Sequence, residues 1–136
     1  MTHRILFGVV GAVIFVTAIQ GHHSISGVYD TSRSITIEGT VTQFQFINPH
    51  PFVTMTAETR NDGKQQWRLE LDNRFELVEI GMNERTIKPG DRIAVSGNPG
   101  RNQATSLYVL RLDRPADGLR YEQIGFTPRI AFPDKR

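Results

Sequence analysis

The sequence predicts an all-β domain with one short helix, a small five-stranded OB-like Greek-key barrel in the order β-β-β-α-β-β. Three observations carry this reading. Apolar and polar residues alternate in separate runs between Ile35 and Leu112, the two-residue period of strands with one buried face. Only one stretch, roughly Arg74 to Ile80, has helical spacing with capping residues at both ends. The first run is long and changes phase midway, as a strand does when it bends between sheets. An open β-sandwich built from the same strands is the alternative.

Each element has a local cause. Ile35, Ile37 and Val41 alternate with Thr36, Thr40 and Thr42, and Gly39 falls on the apolar face. Phe44 and Phe46 are out of phase with them, which places a β-bulge near Thr42-Gln43. Asn48-Pro49-His50-Pro51 ends the strand. In the second run Val53, Met55 and Ala57 share a face, and Asn61-Asp62-Gly63 is a hairpin turn. The third puts Trp67, Leu69 and Leu71 on one face and Arg68 and Glu70 on the other. The helix has Asn73 as N-cap, Glu76 three residues on and Gly81 as its C′ residue, with Phe75, Leu77, Val78 and Ile80 as its apolar stripe. Lys88-Pro89-Gly90-Asp91 is a turn. Ile93, Val95 and Gly97 form the fourth strand, and Leu107 to Leu112 the fifth. The helix would plug one end of the barrel.

The predicted organisation is a signal peptide over residues 1–21, an N-terminal arm over 22–33, the barrel over 34–113 and an extended tail over 114–136. The leader has Arg4 ahead of a stretch that runs apolar from Ile5 to Ile19, broken only by Gly8, Gly11 and Thr17. Fifteen residues at 1.5 Å rise span roughly 23 Å, short of the roughly 30 Å hydrocarbon core, so export with cleavage is favoured over a membrane anchor. Cleavage after Ala18 and cleavage after Gly21 both fit. The expected location is therefore periplasmic or secreted, with an uncleaved N-terminal anchor as the alternative and the only route to a membrane.

Removing residues 1–21 takes away one arginine and no acid, leaving 15 basic against 14 acidic residues, net +1. No basic block stands out, and Phe44, Phe46 and Phe52 have no row of Lys or Arg beside them in the sequence. No nucleic-acid partner is expected. There are no cysteines, so neither disulfides nor thiolate chemistry contribute. No nucleophile elbow, phosphate-binding glycine loop, HExxH helix or carboxylate pair appears, and no enzyme is predicted.

What remains is histidine. His22 and His23 follow the leader, and His50 is presented from a loop that Pro49 and Pro51 stiffen. A cut after Gly21 would give His22 a free amine beside its ring Nδ1, and a third imidazole would complete a nitrogen site suited to Cu(II). A cut one residue earlier would place a histidine third from the amine, another Cu(II)-binding arrangement. Glu70, Asp30 and Asn48 are candidates for orienting or supplementing these ligands. Solvated terminal histidines and a structural His50 are the plain alternative.

The ordered set His22-His23-Ser24, Tyr29-Asp30, Ile37-Glu38-Gly39-Thr40-Val41, Asn48-Pro49-His50, Trp67-x-x-Glu70-Leu71, Lys88-Pro89-Gly90-Asp91 and Val95-x-Gly97-x-Pro99 resembles a family of small secreted bacterial proteins of unknown function. The resemblance covers residues 22 to about 113. It departs from the family's pattern at Ile47, where an aromatic is usual, and at Ile19-Gln20-Gly21, where the family more often carries Ala-x-Ala. It implies an exported β-rich domain and brings no established activity. The three histidines match motif positions of that family. The expected function is an exported binding module that holds copper, or zinc, through His22, His23 and His50. The alternative is a metal-free interaction or structural module of the cell envelope, with another envelope protein as partner.

Overall fold

One parallel pairing decides between barrel and sandwich. In the computed structural model, which describes residues 24–59 and 63–133, β1 (Ile35–Gln45) pairs antiparallel with β2 (Phe52–Thr59), and β2 with β3 (Gly63–Glu70). On its other side β1 pairs with β4 (Arg92–Pro99), and β4 with β5 (Ser106–Arg114). The circle closes where β3 meets β5 in parallel, with Arg68 opposite Ser106, Leu69 opposite Leu107 and Glu70 opposite Tyr108. Closure in the order β1-β2-β3-β5-β4 removes the open edges that a sandwich would keep.

β1 serves two neighbours because it bends. Its first half pairs with β4, its second with β2, and the register slips between Val41 and Gln43, where the bulge was expected. The slip brings Phe44 onto the same side as Val41 and against the core. At the bend lies Gly39, where a Cβ would stand 2.4 Å from the Thr56 carbonyl oxygen, so no side chain fits between β1 and β2. A second slip, between Ser96 and Gly97 of β4, leaves Leu110 as the extra residue on β5. It explains why the residues that β5 gives to the core cluster run 107, 109 and then 112.

The core is the inner face of this barrel: Val41, Val53, Met55, Trp67, Leu69, Ile93, Val95, Leu107 and Leu112 belong to one apolar cluster. Trp67 Nε1 is its one buried side-chain donor without a partner among the described residues. Leu77 of α2 (Arg74–Glu79) joins the cluster from the chain between β3 and β4. Asn73 caps α2 by accepting a hydrogen bond from the Glu76 amide at 2.9 Å. At the other end, Gly81 at φ +94° turns the chain so that its amide bonds Val78 and that of Met82 bonds Leu77. The expected four-residue stripe is narrower in the structure. Leu77 is buried and Ile80 half-buried, whereas Phe75 and Val78 are exposed, because six residues present one face inward and 75 and 78 lie off it.

Two further parts were not expected. A four-residue helix, α1 (Ile25–Val28), lies in the N-terminal arm, so the domain has two short helices rather than one. The segment expected as an extended tail contains a β-hairpin, β6 (Leu119–Ile124) and β7 (Thr127–Ala131), that continues the sheet from β5. Its signals were present: Asp117-Gly118 is a turn dipeptide, and Leu119 and Tyr121 alternate with polar residues and are buried. Gly118 and Gly125, at φ +80° and +63°, make the two turns. The Asn61-Asp62 half of the expected β2–β3 turn lies outside the described residues, but Thr59 pairs with Gly63 across it.

Charged pairs fasten the hairpin. Asp113 accepts hydrogen bonds from Arg111 and Arg120, both at 2.6 Å. Burial disfavours its charged form, but those two bonds prevail and hold its carboxyl below the ordinary value of 3.8. Asp117 is likewise held low, chiefly by its bonds from Arg114. Glu76 moves the other way, raised above 4.5 by burial and by Asp72 beside it. A lowered folded pKa adds stability that is complete above the unfolded value and is lost as pH falls through the folded one. A raised one adds stability as pH falls through it. Urea midpoints are therefore expected to hold or rise slightly as pH falls toward 4.5, then drop below about 3.8. Asp113→Asn/Asp117→Asn should flatten that lower limb, and an unchanged limb would refute the assignment.

Candidate functional site

The loop between β1 and β2 is held at three points. The Pro51 carbonyl accepts from the Leu71 amide at 3.0 Å, the Pro49 carbonyl accepts from the Arg74 amide at 2.8 Å, and His50 Nδ1 lies 2.9 Å from the Leu71 carbonyl. The Asn48-Pro49 bond is cis. A carbonyl oxygen only accepts, so Nδ1 of His50 carries the proton and Nε2 keeps its lone pair when the ring is neutral. Nε2 has no partner among the described residues. The ring is about one-fifth exposed.

Glu70 stands behind it. One carboxylate oxygen is 3.4 Å from His50 Nδ1, and the other accepts the hydroxyl of Tyr29 at 2.5 Å. Burial, reinforced by Glu70, pushes the Tyr29 phenol far up, so it remains a donor at any physiological pH. Glu70 reaches this position because β3 alternates. Leu69 and Leu71 point into the barrel, and Glu70 and Arg68 point out.

Tyr29 comes from the arm, which the β4–β5 loop clasps. Tyr29 bridges to Gly100, the Asp30 amide donates to Pro99, and the Arg101 amide donates to Val28. Arg101 Nε adds a bond to the Ser26 carbonyl at 2.9 Å. The Tyr29 ring rests on Tyr108 of β5, centroids 5.8 Å apart. Arm, β1–β2 loop and β4–β5 loop thereby wall a cleft of about 930 Å³ outside the β2–β3 face. Ile25 and Val28 line it from the arm, Asn48 and His50 from the first loop, and Asn102 and Gln103 from the second. Phe52, Arg68 and Glu70 form its floor. A shallower depression of about 520 Å³, lined by Trp67 and Thr105 among others, shares Arg68 and Gln103 with it.

Of the six residues expected at a site, the structure brings His50, Glu70 and Asn48 to one cleft. Asp30 is elsewhere. Its carboxylate accepts from the Ser32 hydroxyl at 2.6 Å and lies 3.9 Å from Arg101, a turn-closing role that explains its lowered pKa. His22 and His23 lie outside the described residues. Among the described residues, no three His, Cys, Asp or Glu side chains gather as a metal site. No helix among them is long and apolar enough to cross a membrane.

Sequence reasoning missed Tyr29 as the partner of Glu70, because 41 residues separate them and no local pattern links the two. It also left Phe46 and Phe52 without cationic neighbours. In the fold, Arg74 lies over Phe46 at 5.0 Å and Arg68 over Phe52 at 3.7 Å, both brought from distant parts of the chain.

No curated protein is significantly similar to this chain. A family of unknown function matches residues 11–108, from before the two histidines through the clasped arm and into β5, leaving the β6–β7 hairpin outside the match. With most of its length covered, the chain belongs to this family of unknown function, DUF6152.

Proposed function

We propose that the protein is an exported binding module that holds a Cu(II) ion at the mouth of the cleft, through His50 Nε2 and the N-terminal His22 and His23. One observation carries the reading: His50 donates Nδ1–H to the Leu71 carbonyl, with Glu70 and Tyr29 behind it, and so keeps Nε2 available for a metal. A histidine ligand is commonly oriented in this way by a carbonyl or carboxylate on its other nitrogen. A second feature supports it. Ile25, two residues beyond His23, already lines the cleft that holds His50. Nitrogen donors favour Cu(II), and zinc is the second choice, because Glu70 is already engaged by Tyr29 and the set lacks an obvious fourth ligand. Export rests on Arg4 and the apolar run Ile5 to Ile19, with an uncleaved anchor as the other form.

The test is a Cu(II) titration of exported protein whose N-terminus has been fixed by mass spectrometry, read by paramagnetic resonance for nitrogen couplings. His50→Ala is expected to weaken binding at least tenfold and to remove one nitrogen. Glu70→Gln should weaken it about tenfold with the ligand set intact, the usual scale for an orienting partner. Binding that survives His50→Ala unchanged would show that the amino terminus acts alone.

The exposed apolar residues Phe75 and Val78 on α2, with Phe132 against Gly81 at its end, favour a second reading, a metal-free module that docks another envelope protein. A chain that binds neither Cu(II) nor Zn(II) in the titration is left with it.

A further inference from the structure

We infer that the cleft also takes a small organic monocarboxylate with an apolar body, seated with its carboxylate on Arg68. Among the described residues that line the cleft and the adjoining depression, Arg68 is the only fixed cation, and it lines both. Its guanidinium lies 3.7 Å from the centre of the Phe52 ring and makes no side-chain hydrogen bond or ion pair with any described residue. By contrast, Arg101, Arg111, Arg114 and Arg120 each have a carboxylate within 4 Å. That contact holds the guanidinium over the ring, and its N–H donors, a fork matched to a carboxylate, have no side-chain partner among the described residues.

The surroundings narrow the ligand class. Glu70 is also in the cleft, two residues along the same face, so a dianion such as a phosphate monoester would meet repulsion with a single arginine to offset it. A monoanion meets half that repulsion, and the Glu70 carboxylate is engaged by the Tyr29 hydroxyl and faces His50 Nδ1. Ile25, Val28 and Phe52 supply an apolar wall for the rest of the molecule, while Gln103, which like Arg68 lines both hollows, offers an amide for a second oxygen. The volume of about 930 Å³ admits a body of six or more carbons.

This inference does not rest on the metal reading, and its test is run in the presence of EDTA to keep the two apart. Hexanoate is titrated into ¹⁵N-labelled protein, following the Arg68 Nε–Hε resonance, beside hexan-1-ol and hexyl phosphate. Saturable binding of hexanoate at least tenfold tighter than of either analogue is expected. Arg68→Gln should weaken it at least tenfold, and Arg68→Lys should recover only part, having charge without the fork. Arg111→Gln, which removes an arginine already committed to Asp113, should leave binding unchanged. Equal binding of hexan-1-ol or hexyl phosphate, hexanoate binding indifferent to Arg68→Gln, or no saturation would each overturn the proposal.

Discussion

Gly97→Ala is expected to destabilise the protein by about 3 kcal/mol, toward the upper end of what overpacking costs. The reason is a backbone contact that nothing flexible can relieve. A Cβ at this position would lie 2.0 Å from the Tyr108 carbonyl oxygen and 3.1 Å from Leu107 Cγ. Gly97 is flanked on both sides, by Ile35 of β1 and Val109 of β5, at the register slip where β4 and β5 close on each other. Relief would require β4 and β5 to part within the barrel wall. For a domain whose whole stability is of order 5–15 kcal/mol, this is a large fraction. It should lower the urea midpoint by roughly 1–3 M at an unchanged slope. Gly27→Ala is the control. Its Cβ would meet only Ser24 Cβ at 3.7 Å, an ordinary contact, and its effect should stay within about 0.5 kcal/mol. Equal effects at the two positions would mean that the close approach at Gly97 relaxes freely. Because Tyr108 also supports the Tyr29 ring, Gly97→Ala should disturb the His50 cleft as well.

Arg114→Met is expected to cost about 2–3 kcal/mol, below the full penalty of breaking a buried pair because one partner is partly solvated. Its side chain is 11% exposed, and one guanidinium joins three separate turns. It donates to the Thr86 carbonyl at 2.8 Å and to Asp91 and Asp117, both at 2.7 Å. These bonds tie the α2–β4 connection to the β5–β6 turn, and their loss strands Asp91, 18% exposed, beside that carbonyl. Arg114→Lys should recover less than half, since an ammonium lacks the fork that serves two carboxylates and a carbonyl together. In urea melts, the loss for Arg114→Met should shrink below the pH at which Asp117 protonates. A pH-independent loss would assign the effect to packing of the arginine stem instead.

Local chemistry made much of this molecule legible. Five strand runs, the bulge after Val41, the cap at Asn73, the Gly81 stop and the Lys88-Asp91 turn each follow from a few neighbouring residues, and the structure carries them all. Other features were written as plainly but outweighed. The prolines of the last twenty residues obscured a hairpin that Asp117-Gly118 and the burial of Leu119 and Tyr121 complete. Phe75 looked like core by type and spacing, yet a six-residue helix has room to bury Leu77 and not its flanks.

The site divides along the same line. Sequence alone identified His50 as a stiffly presented imidazole and placed Glu70 on the strand face away from the core, because proline geometry and strand alternation act over a few residues. It also singled out His22-His23 as the polar start of the chain after an apolar leader. Only the tertiary structure decided that Glu70 stands behind His50, that Tyr29 is its other partner, that Arg68 lies on Phe52, and that Asp30 closes a turn elsewhere. Those contacts join residues up to 41 positions apart. They depend on β3 pairing in parallel with β5 and on the arm lying along the β4–β5 loop. Barrel closure is a property of the whole chain, set by total register and buried area, and no local window of residues contains it.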